Sequence, residues 1–543
     1  MKKYILILSF ITIYFIISCT KNNTDNSLIV NIGPEPKTLD PTYTETYDSS
    51  AYIAHTFEGL TSRDKDDKLI PAVAESWDIS DEYLTYTFYL RTNAKWSDGK
   101  EVTANDFVYA WQRAVDPKVA SSVSYQLNPI KNASKIIKGE LPLTELGVKA
   151  IDDYTLEVNL ESPAAYFLDL LSITIYSPLR KDIIDKYGDA WTQEEYIGNG
   201  PFFVKEHINN DKIVMEKNTN YWNKDTIIPQ TITFSLLDNP NTIVASIQDG
   251  TLLFGSNPPL QDIPKLTEEG YIDYVPLLGI YFLSINTTNE VLRDKNVRKA
   301  LSLAIDRNYI VEKVTKGNEI PAAALVPYSV FDIEGSFREN GGNYFGVDEN
   351  DYQKNIEEAK RLLAESGYSN GSNFPVLEYS VESQSSLNIF EAIQQMWKEN
   401  LNIDARVNQL EWGVFMQTTR GDKNFEIARS GWMGDYNDPM TFLDTFLSYS
   451  PQNTGSYYNK EYEQLIQSAL TNGDKISRMK TLHEAEDVLM EDMPFIPLYF
   501  YNRVILVRPE LRDVMISNVI PPRFFYAYVE KQFYFYKNKW GYN

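Results

Sequence analysis

Cysteine is almost missing from this chain: Cys19 is the only one among 543 residues. A disulfide framework and a thiolate metal site are thereby excluded. Histidine is scarce too. His55, His207 and His483 lie far apart and show no metal-ligand spacing. The nearest approach to a phosphate loop is Gly198-Asn199-Gly200-Pro201, which lacks a third glycine and a following Lys-Ser/Thr pair. It reads instead as a turn before a strand at residues 202–204. Carboxylates are plentiful, so counting alone leaves a paired-acid hydrolase open, yet no particular pair is marked out. No catalytic residue is assigned, no cofactor or metal is expected, and the chain is read as a non-enzyme. After residue 17 no apolar run is long enough to span a bilayer, which takes about 20 residues.

Positive charge is also in deficit. The formal charge is −24, and becomes −26 without Lys2 and Lys3. Such a surface argues against nucleic acid or anionic lipid as the main partner. What is present starts at the N-terminus. Lys2 and Lys3 precede an apolar run over residues 4–17, closed by Ile16-Ile17-Ser18-Cys19. Basic residues, a short apolar segment and a small residue before the cut make a signal peptide. A cysteine directly after Ile-Ile-Ser resembles a lipobox, where the thiol is acylated and becomes the new N-terminus. The expected product is an extracytoplasmic lipoprotein, cleaved before Cys19 and anchored to a cell membrane in a periplasmic space or at the cell surface. Residues 20–27 are polar, with almost nothing to bury, and read as a tether.

The rest of the chain is too long for one core, so two or three lobes are expected. Residues 28–32 read as a strand. Residues 83–91 (YLTYTFYLR) alternate, with Leu84, Tyr86, Phe88 and Leu90 on one face of a half-buried strand. Thr103 is placed to cap a helix running to about Val115, with Asp106 reaching back to the cap. A second helix follows Asp294 and ends before Gly317; a third stops at Gly367. A fourth, over residues 389–401, leads into a strand through Ile403, Ala405 and Val407. The last covers about residues 476–490 and gives way at Pro494 to strands through Leu506. Helices alternating with strands indicate α/β lobes. Residues 282–286 (FLSIN) and 495–501 (FIPLYFY) flank the run of helices and are expected to be two interlobe crossings that form a hinge. The 37 tyrosines and 9 tryptophans suit a site that grips ligands with rings and hydroxyls.

Three segments carry more specific information. The first is residues 33–41 (GPEPKTLDP), followed by Phe57-Glu58-Gly59-Leu60. The second is residues 86–99 (YTFYLRTNAKWSDG), running into residues 102–108 (VTANDFV). The third is residues 428–439 (ARSGWMGDYNDP). Together they resemble the extracytoplasmic solute-binding proteins of peptide and nickel ABC importers, most closely the oligopeptide-binding branch. The resemblance covers essentially the whole chain from Leu28. It implies a periplasmic binding protein type II-like clamshell: two large α/β lobes, a two-strand hinge and an additional domain. The boundaries expected are residues 1–18 for the signal peptide and 19–27 for the tether. Residues 28–57, 181–283 and 500–543 then form lobe I, 58–180 the additional domain and 284–499 lobe II.

The resemblance also implies a site. Asp435 takes the position that pairs with a peptide's α-ammonium group, and Glu45 approaches the same end. Arg429 and Arg420 correspond to arginines available to peptide C-termini, and Trp432 and Trp412 to the walls of side-chain pockets. Three departures stand out. Where relatives carry a ligand-contacting tyrosine, this chain has Ser121-Ser122-Val123-Ser124-Tyr125, with Tyr125 as the substitute. Ser385 and Ser386 stand where some relatives have a histidine, and Met433 replaces the usual small or thiol residue after the tryptophan. The implied partners are short peptides and importer permease subunits, with the chain monomeric and no nucleic acid involved. A dipeptide, haem or metal-chelate binder of the same family, or a surface adhesin or signal receptor on the same fold, stays open.

Overall fold

The computed structural model describes residues 26–65, 68–518 and 520–530. The leader, Cys19 and most of the tether lie outside them. Ser27, assigned above to the tether, is instead the first residue of the strand Ser27–Val30 and pairs with Thr231.

One large mixed sheet runs through the molecule. From one edge its strands are Ala405–Gln409, Leu377–Val381, Ile427–Met433, Ile272–Ile285, Phe495–Val507, Phe254–Ser256, Ser27–Val30, Thr231–Ser235, Lys212–Lys217 and Phe202–Ile208. Only two of them, Ile272–Ile285 and Phe495–Val507, belong to both halves. They pair antiparallel, residues 272–276 against 502–506 and residues 280–284 against 495–500, with the register broken between Pro276 and Ile280. Proline has no N–H to give the ladder, so a break at this point is expected. Val275 and Ile505 are buried in the first lobe's core, whereas Leu278, Ile280 and Phe500 belong to a core of the second. The crossing therefore falls a few residues before the 282–286 stretch singled out in the sequence. Gly279 sits in it because a Cβ there would lie 2.3 Å from Met433 Sδ and 2.7 Å from the Tyr501 ring.

A separate four-stranded antiparallel sheet, in the order Ala74–Ile79, Thr85–Leu90, Thr155–Asn159 and Val148–Asp152, lies within residues 58–180. Tyr86, Phe88 and Leu90 alternate into its core, as the sequence period requires. The helix Ala104–Val115 packs on it, and the Asp106 carboxylate accepts the Thr103 backbone N–H at 2.8 Å. The Gly-Asn-Gly stretch is structural: a Cβ on Gly198 would meet the Thr56 carbonyl oxygen at 2.0 Å. Asn199 between the glycines accepts from the Glu58 N–H at 3.0 Å and donates to the Glu58 carbonyl at 2.8 Å.

The helix after Asp294 departs from expectation. It ends at Leu303, and a new turn begins at Asp306, whose carboxylate accepts the Tyr309 N–H. The guanidinium of buried Arg307 takes the carbonyls of Ser302, Ile305 and Pro497. Two of these are oxygens that a continuing helix would have used, and a tertiary contact supplies the break. In the same lobe Arg338 and Glu486 form a fully buried pair, 2.7 Å apart, and Glu486 also accepts the Leu325 and Val326 N–H groups. Removing one partner strands the other charge without water. Glu486→Gln is expected to lower stability by about 3 kcal/mol, read from chemical denaturation of the purified chain.

Candidate functional site

On the first-lobe side the site rests on Asp40 of the Leu-Asp-Pro stretch. Its carboxylate is buried, pairs with Arg113 at 2.8 Å and accepts Trp191 Nε1–H at 2.9 Å and the Thr42 N–H at 2.9 Å. One acid thus joins three distant segments and fixes the chain that follows. Glu45 comes next, exposed, just before the helix Tyr47–Thr56. Its carboxylate accepts the Ser122 hydroxyl, while Ser121 Oγ donates to the Thr42 carbonyl at 2.7 Å. Tyr125 lies in the turn Ser124–Leu127 and is 51% exposed. The loop carrying Tyr125 is therefore tied to Glu45.

On the second-lobe side the strand Ile427–Met433 carries Arg429, Trp432 and Met433. It pairs along its whole length with Ile272–Ile285, but Leu377–Val381 on its other side meets only Ile427 and Ala428. Among the described residues, the outer edge of residues 429–433 has no strand partner. Strand alternation puts Arg429, Gly431 and Met433 on one face and Ser430 and Trp432 on the other. Gly431 is required by Tyr501, whose hydroxyl would lie 2.8 Å from a Cβ there.

The loop after this strand holds the acids. Asp435 donates its N–H to Thr441 Oγ1 at 3.1 Å, which orients the turn. Its carboxylate opens onto solvent and has no hydrogen-bond or ion-pair partner among the described residues. Surrounding protein still raises its pKa above the usual carboxylate value. Asp438 is buried and held bidentate by Arg478 at 2.7 and 2.8 Å. Asp444 is pushed up to about 7, by burial first and then by Asp435 and Asp438. Asp435 and Asp438 thus lie close enough to act on Asp444, and of the three carboxylates Asp438 is the one paired with Arg478. Beside them Tyr436 stacks on Tyr166 of the additional domain, with ring centres 4.0 Å apart and planes 11° apart. A cavity of about 740 Å³ between the additional domain and the second lobe is lined by Asp169, Tyr328, Asn437 and Arg478 among others.

The remaining sequence candidates form another group. Trp412 opens the helix Trp412–Met416, is 54% exposed and stacks on Phe415. Arg420 lies in the irregular turn Gln417–Gly421 and shares a small pocket with Ser430, Trp432 and Phe446. Burial and the nearby Arg429 lower its pKa. Trp432 is half-buried, and its indole N–H has no partner among the described residues. Arg429 is held differently: its Nε lies 3.6 Å from Glu382, and its guanidinium is 5.4 Å from the Tyr281 ring centre. Burial lowers its pKa, but Tyr281, Tyr501 and Glu382 raise it more.

Sequence reasoning missed Glu382, Tyr166 and Tyr281 because each enters the site through a contact between distant segments, and Asp444 because its burial beside two nearby acids is set by tertiary packing. No group of three or more His, Cys, Asp or Glu side chains suited to a metal ion occurs among the described residues. Residues 367–371 (GYSNG) match the spacing of a nucleophile elbow. They follow the helix Glu349–Glu365 instead of joining a strand to a helix, so the strained strand-to-helix turn is missing.

The profile of bacterial extracellular solute-binding proteins, family 5 (middle), matches residues 68–454. The oligopeptide-binding protein OppA of Bacillus subtilis is 34% identical over 498 residues, 90% of each chain. The murein tripeptide-binding protein MppA in its unliganded open form superposes with a TM-score of 0.86 at 32% identity, over 94% of this chain and 98% of that one. The complex of Haemophilus influenzae OppA with RPPGFSPFR gives 0.68 at 33% identity, over 94% and 100%. The two-lobed α/β architecture is that of type II periplasmic binding proteins. With the profile spanning most of the chain and relatives matched nearly end to end, the chain belongs to the bacterial extracellular solute-binding proteins of family 5 and is a binding protein, not an enzyme.

Proposed function

We propose that this chain is a lipid-anchored receptor that captures short peptides with a free N-terminus and passes them to the permease subunits of an ABC importer. The observation that carries this reading is the unpaired Asp435 carboxylate at the end of a strand whose outer edge is open. An extended peptide can add its backbone to that edge with hydrogen bonds that ignore side-chain identity. Its α-ammonium then reaches Asp435, with Asp444 nearby and Asp438 already paired with Arg478. A cation there relieves repulsion among the acids, and the acids replace the water that the ammonium loses on enclosure.

The remaining parts take supporting roles. Glu45 from the first lobe and Tyr125 from the additional domain face the ligand near its amino end. Arg420 and Arg429 lie toward its other end, while Trp412, Trp432 and Met433 border side-chain space. The better fit to an unliganded open relative than to a peptide complex, at like identity and coverage, supports an open resting form. Closure about Ile272–Ile285 and Phe495–Val507 traps the peptide, and the closed shape is what an importer recognises. Lipid on Cys19 keeps the receptor within reach of the membrane. No described helix is long and apolar enough to cross one.

Three outcomes test this reading. Asp435→Asn, or acetylation of the peptide's N-terminus, is expected to weaken binding by about 3 kcal/mol, roughly a hundredfold; calorimetry showing equal affinity for acetylated peptides would refute the assignment. Peptide affinity is expected to change with pH. Without ligand the Asp444 carboxyl titrates near 7, and an ammonium nearby favours its ionised form. Binding therefore releases a proton, and affinity rises as pH increases through 7, until the peptide's own amine, with a pKa of about 8, loses its proton. Asp444→Asn should flatten that rise. Finally, Cys19→Ala is expected to move the protein from the membrane fraction to the soluble fraction of fractionated cells.

A further inference from the structure

The second-lobe surface is charged very differently at its two ends. Around Asp435 negative charge is in excess, whereas around Arg429 it is balanced. Glu382 lies between the strand Leu377–Val381 and the helix Gln384–Leu401, and its side chain is 9% exposed. Its Oε1 stands 3.6 Å from Arg429 Nε. The same oxygen accepts the Ser386 hydroxyl at 3.3 Å, and the Tyr281 hydroxyl donates to Ser386 at 3.3 Å. The nearby helix N-terminus favours a carboxylate at this place. Oε2 is buried with no hydrogen-bond partner among the described residues, so this acid is enclosed and directed at the arginine.

We infer that Glu382 is a specificity-determining residue, which neutralises Arg429 and withdraws it from recognition of a ligand's carboxylate. The inference rests on the peptide-binding reading above. A carboxylate approaching Arg429 would share its guanidinium with Glu382, whose negative charge offsets part of the attraction. Arg420 has no carboxylate partner among the described residues, but it is exposed, and a pair formed there is screened and weak. Peptides are then held by their ammonium group and backbone. The far end is read loosely, so a C-terminal amide, or a chain continuing past Arg429, is accepted almost as well as a free acid.

The test is calorimetry on the full chain with alanine peptides of two to six residues, each as free acid and as C-terminal amide. In the wild type, the ratio of amide Kd to acid Kd is expected to stay below about threefold. Glu382→Gln should raise that ratio to about tenfold or more by exposing Arg429's charge. Glu382→Ser, a smaller side chain, should act in the same direction and guards against a misfolded glutamine variant. A wild-type ratio above about threefold overturns the inference. So does a ratio that neither variant increases. If no alanine peptide binds the wild type in either form, the peptide reading falls, and this inference with it.

Discussion

The pairing of Ile272–Ile285 with Phe495–Val507 is the constraint on which the rest of the structure depends. Among the described residues, these strands alone take part in both halves of the large sheet. Their register breaks where Pro276 leaves the ladder, and their side chains change cores across that break. A change in lobe angle therefore concentrates in a few backbone dihedrals. The break is also packed against the site. Gly279 and Tyr501 lie against Met433 and Gly431, so the crossing and the ligand-facing strand adjust together. Close packing of this kind transmits a shift that a loose linker would absorb.

Onto this frame the protein places two unequal electrostatic environments. Asp438 and Arg478 balance each other and need no ligand. Asp435 and Asp444 are left over, and burial, with the neighbouring acids second, raises Asp444 to about 7. At the other end Arg429 already has Glu382 beside it. Selectivity follows from what is left unbalanced, because an ion already paired has little to gain from a ligand. Between the ends, an open strand edge offers backbone groups that every peptide can meet. Broad acceptance of side chains and firm demand for an amine are compatible on such a surface.

Much of the local structure was legible from residue order. The alternation of Thr85–Leu90 and the cap at Thr103 follow from periods of 2.0 and 3.6 and from capping chemistry, all local. The run after Asp294 was not legible as drawn, since its break depends on Arg307 reaching Pro497, far along the chain. The Asp435 loop was marked by its motif, and among the described residues that carboxylate has no partner. Arg429 and Arg420 look equivalent in the sequence. In three dimensions Arg429 faces an acid, and Arg420 faces none among the described residues.

The sequence by itself determined the scarcity of cysteine and histidine, the α/β alternation, and which charged and aromatic residues are available to a site. Those properties depend on composition and near-neighbour spacing. Only the tertiary structure decided which of those charges are already balanced, where a strand edge stays open, and where the two lobes turn about each other. Coulomb energies and hydrogen bonds depend on distance in space. The residues that set those distances, Glu382 with Arg429, and Tyr166 with Tyr436, are brought together only when the chain has folded.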